Sequence, residues 1–146
     1  MATLKISDLS VGDWVRYDGR DYQVKSIHGD FESVTLIGNK EQRDESIYDI
    51  HPIPISSEIL ETNEFRRCSV EFSIYEYTTL LGKILRTTQV HLTTPQCINV
   101  FLHDTTFERG YCQREKTSVH ILRDELYVHD IQHALRLAGL DKEINL

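Results

Sequence analysis

Residues 14–27 read WVRYDGRDYQVKSI, and this stretch decides the fold of the first third of the chain. Asp18-Gly19 is a dipeptide that favours a two-residue hairpin turn. Strand-like runs flank it, from Trp14 to Tyr17 and from Asp21 to Ile27. Since successive strand residues point to opposite faces, Tyr22 and Val24 share one face. The stretch therefore predicts an antiparallel hairpin.

Further turns divide the rest of the first third into short strands. Gly29-Asp30 and Gly38-Asn39 flank a run from Phe31 to Ile37. Short strands at regular spacing are typical of a small β-barrel. The opening VGDWV, residues 11–15, resembles the start of SH3-like barrels. That resemblance implies a fold over residues 1–55 and carries no function.

The central part of the chain predicts a connecting helix and then more strands. Ser56 and Ser57 can each cap a helix over residues 58–63, within a connecting segment at 56–65. Residues 84–92 form a long alternating, Thr-rich run that suits a pleated surface. Later strands are predicted at residues 97–102 and 117–122, with a polar loop from His103 to Lys116 between them.

The C-terminal part predicts an amphipathic helix. Its apolar residues recur at steps of three and four: Val128, Ile131, Leu135 and Ala138. Asp124 is the expected N-cap and Gly139 the expected terminator. The opposite side of this helix is predicted to face solvent with His129, Gln132, His133 and Arg136.

Together these elements predict the α+β class. We expect a single domain, residues 1–146, in which a small SH3-like N-terminal β-barrel (1–55) packs on an antiparallel β-meander. The meander and a C-terminal amphipathic helix occupy residues 66–146. The residues expected to be largely buried are Trp14, Val24, Val34, Ile131 and Leu135.

Composition limits the class of partner. The net charge is −7, which argues against nucleic acid because phosphate attraction supplies most non-specific affinity. No apolar run approaches the ~20 residues of a membrane span, and residues 1–5 lack the order of a signal peptide. We therefore expect a cytoplasmic protein without a membrane partner. Three cysteines without a CxxC pair predict reduced thiols.

A histidine pair is the sharpest metal candidate. His129 and His133 lie four residues apart on the predicted helix, as in zinc-binding HExxH helices. Asp130 stands where that motif has Glu, and no third ligand lies at a diagnostic spacing. We expect neither a bound metal nor another cofactor.

Two further sets of residues are candidates for ligand chemistry. His91 and Thr93 share one strand face, as in phosphoesterases with two His-x-Thr motifs, but the second copy is missing. Arg86 on the long strand, with Arg109 and Tyr111 in the polar loop, offers guanidinium forks and an aromatic face. Such groups suit a nucleotide-type ligand. The alternative is that these arginines are solvated and paired with acidic residues.

Three stretches of the chain resemble uncharacterised proteins encoded by phages and prophages of Bacteroides-type gut bacteria. They are KISDLSVGDWV at 5–15, IPISSEIL at 53–60 and YVHDIQ at 127–132. The resemblance implies no activity and no set of site residues. In the family pattern the position of His133 is usually not histidine, which weakens the metal pair further. The resemblance does imply that the protein acts by binding in a host cell.

We therefore predict a binding protein without catalytic residues. The first hypothesis is a phage counter-defence protein that sequesters a nucleotide-type signalling molecule, with homo-oligomerisation as one way to build the site. Its candidate binding residues are Arg86, His91, Thr93, Arg109 and Tyr111. One alternative is an acidic protein that binds and blocks a host protein. The other is a hydrolase that uses His91 and Thr93 or the His129/His133 metal pair.

Overall fold

A computed structural model describes residues 3–38, 40–69, 73–82, 84–93, 97–108, 111–122 and 125–146. The chain contacts divide it into two compact units. The first unit comprises Met1–Pro54, Tyr127–His129 and Leu146, and the second comprises Ile55–Leu126 and Asp130–Asn145. Antiparallel sheets dominate the described residues and helices are few, so the fold is of the α+β class. The prediction of a single domain stays a prediction.

The first unit contains an antiparallel five-stranded sheet. Its strands are β1 (Trp14–Tyr17), β2 (Arg20–His28), β3 (Ser33–Gly38), β4 (Glu41–Ser46) and β5 (His51–Pro52), in the order β4-β3-β2-β1-β5. The predicted hairpin is confirmed, with Tyr17 opposite Arg20. Asp18 and Gly19 both have positive φ, 47° and 73°, which is the turn geometry that matches the twist of the two strands.

The core of the first unit lies on one face of this sheet and includes the predicted Val24 and Val34. Trp14 was expected to be buried and is only half-buried. Because strand faces alternate, Val15 takes the inward position on β1 and is fully buried opposite Tyr22. The buried hydrophobic cluster consists of Leu4, Leu9, Val15, Tyr22, Val24, Val34, Leu36, Ile47 and Ile50.

The second unit contains a second antiparallel five-stranded sheet. Its strands are β6 (Arg66–Arg67), β7 (Ser73–Leu81), β8 (Ile84–Thr93), β9 (Cys97–Glu108) and β10 (Tyr111–Leu122), in the order β10-β9-β8-β7-β6. Val90 on β8 is directly opposite Tyr75 on β7 and Val100 on β9, and all three are buried. The predicted short helix is α1 (Ser57–Thr62), whose first turn is capped by the Ser56 hydroxyl accepting from Ile59 N at 3.2 Å.

The predicted polar loop from His103 to Lys116 is wrong. Strand β9 continues to Glu108 and β10 begins at Tyr111, so most of that segment is paired β-structure. The sequence pattern failed because residues 103–106 are polar and lack apolar alternation, the signal by which a strand is recognised. The pairing itself is continuous, since every residue of β9 has a partner on β10.

Helix α2 (Val128–Leu137) confirms the burial of Ile131 and Leu135, which are both 0% exposed. It ends as predicted at Gly139, whose φ is +84°. Leu140 N donates to Leu135 O at 2.9 Å, a bond that satisfies a terminal helix carbonyl. The expected N-cap, Asp124, lies outside the described residues.

The prediction of a solvated polar side on α2 is wrong. His129 and Gln132 are buried, whereas Leu137 is 69% exposed. The reason is that the following segment, residues 140–146, supplies polar partners: Gln132 Nε2 donates to Lys142 O, and Gln132 Oε1 accepts from Ile144 N. A buried amide is tolerated when its groups are hydrogen-bonded.

A second carboxamide holds the same segment. Asn63 Nδ2 donates to Asn145 O at 2.8 Å, and Asn63 Oδ1 accepts from Asn145 N at 2.7 Å. The Nδ2 group also donates to Ile59 O in α1. Asn63 therefore links the C-terminal segment of the second unit to α1.

Candidate functional site

A groove in the first unit is the candidate site. Its volume is about 470 Å³. Leu4 and Ile6 from the N-terminal segment and Ile47 and Tyr48 from a 3-10 turn give it apolar walls. The other lining residues are Thr3, Lys5, Ser7, Gly29 and Glu32. A concave apolar surface with a few polar groups is the usual form of a binding site.

Two 3-10 turns position the side chains at this groove. They span Gly29–Phe31 and Ile47–Asp49. Ile47 N donates to Glu32 O at 2.8 Å, which fixes the two turns to each other. Ser46 caps the second turn by accepting from Tyr48 N. The groove is thus built on hydrogen-bonded turns at the ends of β-strands, where sites are commonly placed.

Two aromatic side chains at these turns are exposed to solvent. Phe31 is 82% exposed and Tyr48 is 64% exposed. The Tyr48 hydroxyl donates to Glu32 Oε2 at 2.6 Å, and this hydrogen bond raises the pKa of Tyr48. Tyr48 lines the groove, and Phe31 lies next to the lining residue Glu32 in the chain. Aromatic residues are enriched at protein interfaces.

Carboxylates flank the groove on both turns. Asp30 and Glu32 adjoin Phe31, and Asp49 follows Tyr48. All three are exposed, and Lys5 is the basic residue among those that line the groove. Residues 1–54 contain ten acidic and six basic residues, so the surrounding potential is also negative. The arrangement favours a ligand that carries positive charge together with apolar groups.

Arg86, the first candidate for anion binding, is already engaged within the fold. Its Nε and Nη2 donate to the two carboxylate oxygens of Asp104, both at 2.8 Å, and Nη1 donates to Gly139 O at 3.4 Å. The hydrogen bond from Arg86 is the main cause of the lowered pKa of Asp104. The planar fork that a phosphate would need is therefore occupied by a carboxylate.

His91 lies on the opposite face of β8 from Arg86, because the two are five positions apart, an odd number, on the strand. Its Nε2 donates to Gln89 Oε1 at 3.2 Å, and Gln89 Nε2 donates to Glu76 Oε2 at 3.2 Å. The His91 ring meets Phe101 edge-on, with centroids 4.8 Å apart. Burial lowers the pKa of His91, so its imidazole is neutral at pH 7.

Of the sequence-predicted ligand residues, the structure describes the side chains of Arg86 and His91. Arg86 and His91 occupy different faces of one sheet. Thr93 ends β8, and Tyr111 begins β10 opposite Glu108, with both side chains outside the described part of the chain. Arg109 lies outside the described residues altogether.

The histidine pair on α2 also falls in different environments. His129 is 4% exposed and stacks on Tyr127 with centroids 5.8 Å apart, whereas His133 is half-buried. Within the ranges that the structure describes, no group of three His, Cys, Asp or Glu residues could hold a metal ion. The expectation that the protein binds no metal stays a prediction, to be checked by elemental analysis.

No protein-family model, curated protein or solved structure matches this chain. Among the residues described, no helix has the length and apolar character that a membrane crossing requires.

The exposed aromatic residues Phe31 and Tyr48 were not predicted from the sequence. The pattern placed Phe31 at the beginning of a strand, whereas β3 begins at Ser33 and Phe31 lies in the preceding 3-10 turn. A local signal was present, since Gly29-Asp30 marks a turn and an aromatic residue next to a turn can be exposed. The contact of Tyr48 with Glu32 joins residues that are 16 positions apart, so it depends on long-range pairing and no local sequence signal predicts it.

Proposed function

We propose that the protein is a non-enzymatic binding protein whose groove in the first unit takes a basic segment of a protein partner. The observation that carries this proposal is the exposure of Tyr48, which lines the apolar groove together with Glu32, and of Phe31, which precedes Glu32 in the chain. Asp30 and Asp49 are exposed carboxylates of the same two turns. Apolar side chains of the partner would enter the groove, and its Lys or Arg residues would meet the carboxylates.

The energetics favour a protein partner over an anion at this site. Aromatic anchors that become buried typically dominate the binding energy of an interface, while charges around them raise the association rate. The net charge of −7 also attracts a basic partner and repels a phosphate. The resemblance to phage proteins suggests a host protein as that partner, blocked by occupation of its basic surface.

The proposal can be tested with two short fluorescent peptides of equal apolar content, one rich in Lys and Arg and the other with Glu in their place. Fluorescence anisotropy should show binding of the basic peptide alone, weakened at high salt because exposed charges are screened. Equal binding of both peptides, or binding that is indifferent to salt, would contradict a basic partner.

Matched variants locate the site. Phe31→Ala and Tyr48→Ala should each weaken binding of the basic peptide by about tenfold or more, the effect of truncating an interface anchor. Leu80→Ala is the control, since Leu80 is 70% exposed but lies on β7 of the second unit. Likewise Glu32→Lys should weaken binding, and Glu61→Lys, an exposed change on α1, should not.

A small nucleotide-type ligand on the second sheet is a second candidate function. The support is a chain of hydrogen bonds that joins His91, Gln89 and Glu76. These residues lie beside Phe101 on a half-exposed face of the sheet, where they present an amide and a neutral imidazole. Such groups suit the polar edge of a nucleobase. We propose this face because Arg86 is held by Asp104 on the other one.

Thermal-shift screening with linear and cyclic nucleotides tests this second candidate. A ligand at one hundred times its dissociation constant should stabilise the fold by about 2.7 kcal/mol. The shift should disappear in His91→Ala, with Arg86→Ala and Arg109→Ala as comparisons. A shift that persists in His91→Ala would show that the ligand binds elsewhere. If no nucleotide shifts the melting temperature, binding of a basic peptide is the remaining candidate function.

We also propose that the first sheet is a variant of the SH3-like barrel. The support is its strand order, in which a meander from β1 to β4 is followed by a 3-10 turn and by β5 pairing with β1. In the described residues β4 and β5 are the two outer strands, so an experimental structure should decide whether they approach each other closely enough to close the barrel.

A further inference from the structure

Cys97, Asn99 and His120 form a compact cluster on the second sheet. Cys97 and Asn99 are two residues apart on β9 and share a face. His120 on β10 is directly opposite Asn99 and therefore diagonal to Cys97, a position from which long side chains can touch. Cys97 is 5% exposed, whereas His120 is exposed to solvent.

The hydrogen bonds within the cluster assign a role to each ring nitrogen of His120. Cys97 Sγ lies 3.4 Å from Nδ1 and 3.5 Å from Nε2, and Nδ1 also contacts Asn99 Oδ1. An amide oxygen can only accept, so Nδ1 carries the hydrogen and donates it to Asn99. In that tautomer Nε2 is the ring nitrogen that can accept a proton, and a small rotation of the Cys97 or His120 side chain would direct its lone pair at the thiol, which lies 3.5 Å away.

We propose that Cys97 is a nucleophilic thiol, with His120 as its proton acceptor and Asn99 as the residue that positions the imidazole. A nucleophile within reach of a base that is oriented by a third group is the general arrangement of an activated side chain. The substrate class is a small, soft carbon electrophile, since sulfur reacts readily with such centres and the buried thiol admits only small reagents.

The chemical step balances within the cluster and the electrophile. The thiol proton passes to His120 Nε2 as sulfur forms a bond to the electrophilic carbon, and the leaving group departs with its bonding electron pair. The imidazolium then releases the proton to water, to which His120 is exposed. With iodoacetamide as the probe, the products are the thioether, iodide and a solvated proton.

Cys68 provides an internal comparison. It is exposed, its thiol donates to Arg66 O at 3.5 Å, and partial desolvation followed by the charge of Glu76 raises the pKa of its thiol. If solvent exposure alone sets the rate of alkylation, Cys68 should react faster than Cys97. If a neighbouring proton acceptor sets the rate, Cys97 should react faster than Cys68.

Limited alkylation with iodoacetamide at pH 7 distinguishes these outcomes. Trypsin separates the three cysteines into peptides 68–83, 87–109 and 110–114, so mass spectrometry gives a rate for each. We expect Cys97 to react faster than Cys68. His120→Ala should slow Cys97 by about tenfold or more, the usual loss when a general base is removed, and should leave Cys68 unchanged.

Further variants separate proton transfer from packing. His120→Gln fills similar space without accepting a proton and should slow Cys97 as His120→Ala does, while added imidazole should restore the rate in His120→Ala. His103→Ala is the control, because His103 is a half-buried histidine on the same strand as Cys97, six positions further along β9. Asn99→Ala should give a smaller loss. An unchanged or faster rate at Cys97 in folded His120→Ala would overturn the proposal.

Discussion

The two sheets differ in what sets the ends of their strands. In the first, strands of two to nine residues end at turns with specific backbone conformations: Asp18 and Gly19 between β1 and β2, and Glu32 with φ of +47° before β3. In the second, β9 and β10 each run for 12 residues in unbroken register. The strand ends of the first sheet are therefore set by local turn residues, and those of β9 and β10 in the second sheet by cross-strand pairing.

The same difference extends to how each sheet is stabilised across its strands. In the first, Gly38 on β3 is packed so closely that an added Cβ would lie 2.8 Å from Tyr22 Cδ1. In the second, Arg86 on β8 and Asp104 on β9 are directly opposite and joined by two hydrogen bonds. The first sheet also has a cross-strand ion pair, Arg16 with Asp21, but its side chains are more exposed than those of Arg86 and Asp104. Close packing at Gly38 should make the first sheet sensitive to side-chain volume, and the more buried ion pair should make the second sheet sensitive to pH.

The largest effect is expected at the buried side of α2. Leu135→Ala removes a side chain that is 0% exposed and should lower the free energy of unfolding by about 2–5 kcal/mol. Leu137→Ala, two residues away and 69% exposed, should change it by no more than about 0.5 kcal/mol. Denaturation followed by circular dichroism measures both, and equal effects would refute the observed orientation of the helix.

The next effect concerns the ionic pair of the second sheet. Asp104→Asn should lower the free energy of unfolding by about 2 kcal/mol at neutral pH, since a charge-assisted hydrogen bond is lost. Arg86 lowers the folded pKa of Asp104, so its contribution is present above the ordinary pKa of about 3.9 and disappears as pH falls through the lowered value. A difference between the two proteins that does not decrease at all as the pH falls below about 4 would contradict this assignment.

The smallest effect is expected in the first sheet. Gly38→Ala should destabilise it by about 1–2 kcal/mol, because Tyr22 must move to admit the methyl group. Gly29→Ala is the control, since an added Cβ there meets nothing within 4 Å. Trp14 is the single tryptophan and lies on β1, so its fluorescence follows this sheet directly. Indistinguishable transitions for the two variants would show that Gly38 is not tightly packed.

Sequence reasoning succeeded where structure follows from near neighbours. The Asp18-Gly19 turn, the cap at Ser56 and the apolar stripe of Ile131 and Leu135 each depend on residues within one turn of chain. It failed for Trp14, because a run of four residues does not reveal which parity faces the core. It failed again at residues 103–116, where pairing across the sheet overrides a polar composition.

The candidate sites show the same limit more strongly. Arg86 and His91 were predicted in one ligand site, although their odd spacing on a strand puts them on different faces. The sequence could not reveal that Asp104 binds the Arg86 guanidinium, because that pairing depends on the register of β8 with β9. For the same reason nothing in the sequence linked Cys97 with His120, which are 23 positions apart.

The hydrogen bonds between Asn63 and Asn145 also fix an order of events during synthesis. The two residues are 82 positions apart, so the Asn63 carboxamide leaves the ribosome long before its partner is made. Contacts of such sequence separation are typical of slow steps in folding, because the intervening chain must be ordered before they can form. We therefore expect residues 140–146 to dock late, after the strands between them and α1 have paired.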